Sequence, residues 1–385
     1  MEDKEEFPLY RAASCGLLAM LVSIGIARFG FSPLVPALVA AKWFSAAQAF
    51  WLGAVNLLGY LLGAGFMRSW TGKIVARPAV LAMLLLTDVC LAASALDLGE
   101  IYFGVWRLLS GVTGGALMVL MASAVTARAP PAKRGQVGGI TFAGMGAGIL
   151  LSGLVLPKIL VFGLPATWLI LAGMSLAATA AVAAFMPAST IHPAPAKPGE
   201  RVLTPAILLL LVSYGLCAVG FVPHMLFFAS FVAIGLHKGI AAGAGATAIL
   251  GLAATVGPPV LGRIADRAGF LPTLAAGYLG MALCAGLPLV TAAPLFLDVS
   301  VFGVGAIGLG TVMLTSGALS GMVPPARLAA TWGLATITYA VMQAVCAAGF
   351  TTLFHATGSF LVLFAVAGMA TMVAAWCVVG ASRAK

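Results

Sequence analysis

Apolar runs of roughly twenty residues or more recur along the whole chain, each closed by a short polar break. They fall near 12–39, 46–67, 77–97, 101–126, 136–159, 164–187, 203–234, 240–261, 270–292, 295–321, 328–354 and 357–381. A helix of that length crosses the hydrocarbon layer of a bilayer, and it satisfies its own backbone while doing so. Twelve such runs predict an all-α membrane protein of twelve transmembrane helices. Composition agrees: the chain is 62% hydrophobic and 8% charged, too apolar for a soluble fold to cover with polar surface.

The distribution of charge predicts the orientation. If both termini are cytoplasmic, fifteen of the twenty Lys and Arg residues fall on the cytoplasmic side, and only Lys42, Lys158 and Lys238 face outward. Arg28 and Arg107 are left inside spans 1 and 4. The net charge of +10 therefore reads as the positive-inside signature and not as a nucleic-acid surface. The acidic start, MEDKEEFPLYR, is unlike a signal peptide, so the first run is expected to remain as a span. The proline-rich stretch 187–202 reads as a solvated linker between an N-terminal bundle, 1–186, and a C-terminal bundle, 203–385. The six cysteines lie inside apolar segments without a CxxC pair, and the four histidines are scattered. Buried thiols are expected, with no metal site and no cofactor.

The two halves repeat. LVSIGIARFGFSP (21–33) aligns without a gap with LVSYGLCAVGFVP (211–223), keeping Leu-Val-Ser, two glycines, Phe and Pro, with Ala218 where Arg28 stands. GFMRSWTG (65–72) lies over GRIADRAG (262–269) at a similar offset. A parallel repeat of six spans describes two halves related by an axis along the membrane normal. Pro33 and Pro36 in span 1 and Pro223 in span 7 are expected to interrupt their helices at matching places, as gating or binding regions often require.

Twelve spans, two halves of six and a motif between spans 8 and 9 resemble the major facilitator superfamily over the whole chain. GRIADRAG, with Gly262, Asp266, Arg267 and Gly269, is similar to its G-x-x-x-D-[RK]-x-G loop motif; the first-half copy has Ser69 in place of the acid. RLLSGVTGGA (107–116) resembles the superfamily's R-x-x-x-G helix, associated with proton coupling in antiporters. Span 5, with Gly144, Gly146, Gly148 and Gly153, partly resembles the antiporter glycine motif; tight helix packing explains the same glycines equally well. GIARFGFSPLVPAL (25–38), AVNLLGYLLGA (54–64) and ATWGLATITYAVMQ (330–343) look like the YbfB/YjiJ-like branch. The resemblance implies a transporter whose spans 1, 4, 7 and 10 line a central cavity.

Ionisable residues inside spans cost roughly 2.5–3.5 kcal/mol on insertion scales and are functional candidates by default. Arg28, Arg107, Asn56, Tyr60, His224, Tyr339 and Gln343 are the candidate solute-binding residues, and Asp88 in span 3 is the candidate for proton coupling. Each has a bland alternative: Arg28 pairing with Asp88 or snorkelling, Arg107 lowering the pKa of Asp88, His224 packing beside Pro223. Asp298 lies near the outer end of span 10, where simple solvation suffices.

The expected function is a monomeric secondary transporter of the inner membrane, working by alternating access on a small anionic organic solute, with protons as a candidate coupling ion. A multidrug or amphipathic-compound exporter is the alternative. A membrane receptor or polytopic enzyme is a distant third, since no catalytic spacing is found, and the lack of a nucleotide motif argues against an ATP-driven pump.

Overall fold

The structure is a computed structural model that describes residues 8–70, 76–125, 129–187 and 203–384. Among these residues every regular element is helical. Twelve long helices follow one another: α1 Leu9–Ala40, α2 Ala46–Trp70, α3 Ala76–Ala93, α4 Glu100–Ala124, α5 Arg134–Ile159, α6 Leu164–Phe185, α7 Pro205–Gly235, α8 Gly239–Ala268, α9 Phe270–Val290, α10 Pro294–Ser320, α11 Pro325–Thr357 and α12 Phe360–Arg383. They match the twelve expected spans to within a few residues at most ends. The linker, from 188 to 202, lies outside the described residues, as do Thr71 and Gly72 of the first-half motif.

Two expectations need correction. The prolines of span 1 do not break it. Leu21–Phe29 winds as a π-helix, and Phe31–Ala40 then continues as α-helix with Pro36 inside it. Pro33 falls in the first turn of the segment that begins at Phe31, after the turn at Gly30, where a missing N–H costs no helical hydrogen bond. In α7 the same widening starts at Pro223 and runs to Phe227, with a second π turn at Phe231–Gly235. The second correction concerns the motif between spans 8 and 9. It is not a loop: Gly262 to Ala268 form the last turns of α8, and only Gly269 leaves the helix. Its φ of 90° is a conformation that glycine adopts without strain, so it sets both the end of α8 and the start of α9.

Within the first six helices, α1 packs on α5, α2 on α4, and α4 and α6 on α3; within the last six, α7 packs on α11 and α12, and α8 and α9 on α10. Two seams join the sets, α5 against α8 and α2 against α11. Small residues decide these contacts. Methyl groups added at Gly59 and Gly63 of α2 would overlap the carbonyls of Leu108 and Val112, while methyls at Gly111 and Gly115 of α4 would overlap those of Asn56 and Tyr60. The two backbones thus lie against each other with glycine on both sides, the close crossing that lipid-embedded helices favour. α5 does this twice. Gly144 and Gly148 face Leu17 and Gly25 of α1, while Gly135, Gly139 and Gly146 face Gly262, Pro258 and Ala254 of α8. Gly153, at the far end, has open space around it.

A matched pair of substitutions tests this packing. Gly111→Ala should cost about 1–3 kcal/mol through overpacking and lower the melting temperature of the detergent-solubilised protein by several degrees. Gly53→Ala should cost nothing measurable, since a methyl there meets no neighbouring atom within 4 Å. Equal melting curves for the two variants would contradict the glycine crossing.

Candidate functional site

Arg28 sits near the end of the π-helical stretch of α1, and its side chain reaches across to two other helices. Its guanidinium Nη2 donates to Oε1 of Gln343 on α11 at 2.6 Å. Its Cζ lies 4.8 Å from the ring centre of Tyr60 on α2, a cation–π distance. α4 is bare beneath Tyr60: a methyl added at Gly115 would overlap the Tyr60 carbonyl, and one at Gly114 would stand 3.7 Å from its ring. Gln343 turns its oxygen to the arginine while its Nε2 faces the Met225 sulfur at 3.7 Å. Tyr339, one turn earlier on α11, packs against Tyr214 of α7 with ring centres 4.8 Å apart.

These residues line a central cavity shared by both sets of helices. Its polar groups are Arg28, Tyr60, Tyr214, Thr336, Tyr339 and Gln343; its apolar walls include Phe29, Met118, Met145 and Phe221. The volume is about 40 Å³, enough for about three or four waters, taking about 10–15 Å³ for each. No acid lines it. Arg28 therefore faces a neutral amide and an aromatic face, and its positive charge has no counter-ion among the described residues.

The other candidates lie elsewhere. Arg107 is buried, 3% exposed, and does not line the cavity. Its Nη1 donates to the Ala27 carbonyl at 2.7 Å and its Cζ lies 4.1 Å from the Phe31 ring. It ties α4 to the residue next to Arg28. Asn56 is also buried, donating to the Arg107 carbonyl at 2.8 Å and to Ser110 Oγ at 2.9 Å. Asp88 forms no pair with either arginine. One oxygen accepts the Ser175 hydroxyl of α6, and Thr179 of the same helix is a second hydroxyl beside the carboxyl group. His224 lies in the core of the last six helices, stacked on Phe228 at 4.9 Å. Since Ser300 Oγ donates to the Cys284 carbonyl at 2.7 Å, its remaining lone pair accepts from His224 Nε2 at 3.0 Å. The imidazole thus carries a proton on Nε2. Pro223 is buried beside it and Pro33 is exposed. Asp298 is exposed at the start of α10. The cavity therefore gathers Arg28, Tyr60, Tyr339 and Gln343, and leaves out Arg107, Asn56, His224 and Asp88.

Sequence reasoning missed Tyr214 and Thr336. Both carried a signal. Tyr214 occupies the repeat position of Ile24, and the two line the cavity from opposite sides. Thr336 is three residues before Tyr339 and seven before Gln343, on one helical face.

At one end of the helices the two sets are clamped together. The Asp266 carboxylate accepts the backbone N–H groups of Gly135, at 2.6 Å, and Gln136, at 2.8 Å, in the first turn of α5. That turn carries free N–H groups and the positive end of the helix dipole. Gly262 and Gly135 allow the approach, because a methyl on either would overlap the other's carbonyl. Arg134 Nη1 adds a bond to Ser320 Oγ of α10 at 3.0 Å. Arg267 is exposed beside the clamp. Nearer mid-span, Trp332 Nε1 of α11 donates to the Met118 carbonyl of α4 at 3.1 Å.

A family model described as "Uncharacterised MFS-type transporter YbfB" matches residues 20–379. The chain belongs to this family of major facilitator transporters. No curated protein matches the sequence significantly. Solved structures share its fold at low identity. The human organic anion transporter MFSD10 (TETRAN) is 15% identical with a TM-score of 0.78, covering 97% of this chain and 100% of that one. The proton:xylose symporter XylE, bound to 6-bromo-6-deoxy-D-glucose, is 15% identical with a TM-score of 0.79, over 96% and 94%. A bacterial homologue of the iron transporter ferroportin, in an outward-facing state, is 14% identical with a TM-score of 0.74, over 97% and 99%. The YbfB-type chain is thus a multi-pass membrane transporter, not an enzyme.

In this YbfB-type transporter the Asp266 clamp makes a defined prediction. Asp266→Asn keeps the size of the side chain but leaves one acceptor oxygen and no charge, a loss of about 1.5–3 kcal/mol. Amide hydrogen exchange at Gly135 and Gln136 should rise in the variant. Unchanged exchange at both positions would show that the carboxylate does not hold that turn.

Proposed function

We propose that the protein is a secondary active transporter that carries a small anionic organic solute across the inner membrane by alternating access. The observation that carries this reading is Arg28: a guanidinium between the two sets of helices, lining the central cavity with no carboxylate near it. A fixed cation in so apolar a setting is costly unless an anion completes it. Its planar fork suits a carboxylate. The organic anions named for MFSD10 are consistent with such a solute.

The proposed organisation is an N-terminal bundle, 1–186, a cytoplasmic linker, 187–202, and a C-terminal bundle, 203–385, with both termini cytoplasmic and the protein acting as a monomer. The Asp266 clamp then lies on the cytoplasmic side, and its release opens the cavity there. Tyr60 and Tyr339 complete the solute site with Arg28, Gln343 holds the guanidinium while no solute is bound, and Arg107 and Asn56 hold the α1–α2–α4 frame behind it. Proton coupling through Asp88 is part of the proposal. The Asp88 carboxyl group is buried and meets the neutral hydroxyls of Ser175 and Thr179, with no cation beside it among the described residues.

The aromatic and methionine walls of the cavity favour the second reading, an exporter of amphipathic compounds. The lack of an acid on the lining weighs against cationic ones.

Uptake of labelled organic acids into proteoliposomes under a pH gradient tests the scheme. Arg28→Ala should weaken anion transport about 10- to 100-fold, the equivalent of losing a charged hydrogen bond worth 1.5–3 kcal/mol. Arg107→Ala should instead lower the yield of folded protein. Anion flux that survives Arg28→Ala at full rate would end the anion-site reading. For the coupling step, Asp88→Asn should uncouple uptake from the pH gradient while leaving counterflow intact, and gradient-driven uptake at the normal rate would remove Asp88 from the mechanism.

A further inference from the structure

The central cavity is more selective than an anion site need be. It offers one cation. Every other polar group on its lining is neutral: three tyrosines, Thr336 and Gln343. A first carboxylate entering it neutralises Arg28. A second would be desolvated among phenol rings, thioethers and aliphatic side chains with no charge to meet it. The walls at Phe29, Phe221, Met118 and Met145 favour a partner with apolar surface of its own, and methionine adapts to its shape.

Gln343 already occupies the anion's place. Its Oε1 accepts from Arg28 Nη2 at 2.6 Å and its amide nitrogen is turned to a sulfur, so the oxygen is the group presented to the guanidinium. A carboxylate oxygen is the stronger acceptor for a guanidinium than an amide oxygen is. Exchange of one for the other satisfies the arginine throughout and cuts a bond between α1 and α11. With room for only a few waters in the present conformation, a solute of organic size must also part the walls as it enters.

Resting on the anion reading above, we infer that the solute is a monoanion with an apolar body, and that Gln343 is the built-in ligand it displaces from Arg28. The solute is thus defined by one carboxylate and one hydrophobic moiety. Gln343 sets the affinity by competing with it.

Thermal-shift titrations of the purified full-length protein in detergent test this, using phenylacetate, acetate, succinate and phenylacetamide as probes. Phenylacetate should bind at least about tenfold more tightly than each of the other three, a difference of about 1.4 kcal/mol. Gln343→Glu should raise the ligand-free melting temperature and weaken phenylacetate at least about tenfold, because a tethered carboxylate saturates Arg28. Gln343→Leu, which removes the competitor without adding charge, should retain phenylacetate binding or tighten it. Succinate binding as tightly as phenylacetate, with both lost in Arg28→Gln, would overturn the monoanion inference and leave the anion site standing. Phenylacetate binding that survives both Arg28→Gln and Arg28→Lys, or equal binding of phenylacetamide, would overturn the anion reading itself. Absence of a shift with all four probes would overturn the inference, as would a Gln343→Glu protein that binds phenylacetate as the unmodified chain does.

Discussion

A leucine gains nothing by leaving lipid for a protein interior, so helices in a bilayer are held by close shape and by hydrogen bonds. In this protein that condition rests on α5. Glycines on one of its sides admit α1, and glycines on the other admit α8, so a single helix fixes the spacing of three. The central cavity inherits its dimensions from that arrangement. Arg28 leaves α1 three residues after Gly25, the point where α1 touches Gly148 of α5. A change of an ångström in that crossing would be carried to the guanidinium.

The polar candidates that lie away from the cavity follow one rule. Asn56 bonds to a carbonyl and a hydroxyl, Arg107 to a carbonyl, and His224 to a serine. Each is turned toward another helix, where a partner is fixed in advance. Arg28 alone among the membrane arginines is turned toward the cavity. Its partner there, Gln343, is itself a side chain able to move aside.

The fold was legible because lipid leaves few alternatives. Twenty apolar residues have to be a helix, and the charge at their ends counts them. The repeat at 21–33 and 211–223 carried further than its identities suggested: Ser23 and Ser213 both turn back onto their own helices, to the carbonyls of Ala19 and Leu210, and Gly25 and Gly215 both receive a neighbouring helix. The site was less legible. Asn56 and Tyr60 share a face by spacing, yet one is spent on α4 and the other reaches the cavity. Spacing tells which residues point the same way. What they point at depends on the rotation of the helix, which is set by glycines on a partner some fifty residues away. An ionisable residue in a span marks where lipid is excluded, without telling whether water or another helix has replaced it. For Arg107 and His224 it is another helix. Helix ends were misread where no breaker stood: nothing in GRIADRA stops a helix before Gly269.

The length of α8 has a bearing on how the two charged positions respond to their surroundings. Thirty residues at about 1.5 Å each make a rod of about 45 Å, well beyond the roughly 30 Å of hydrocarbon. Asp266 stands two residues before the last residue of α8, in the part of the rod that exceeds the oily layer when the helix is centred on it. At such a depth a carboxylate is tolerable, and dissolved salt and anionic lipid can reach it. Arg28, deep between the helices, is shielded from both. The same molecule thus holds one charge that hears the composition of the membrane surface and another that hears only what enters the cavity.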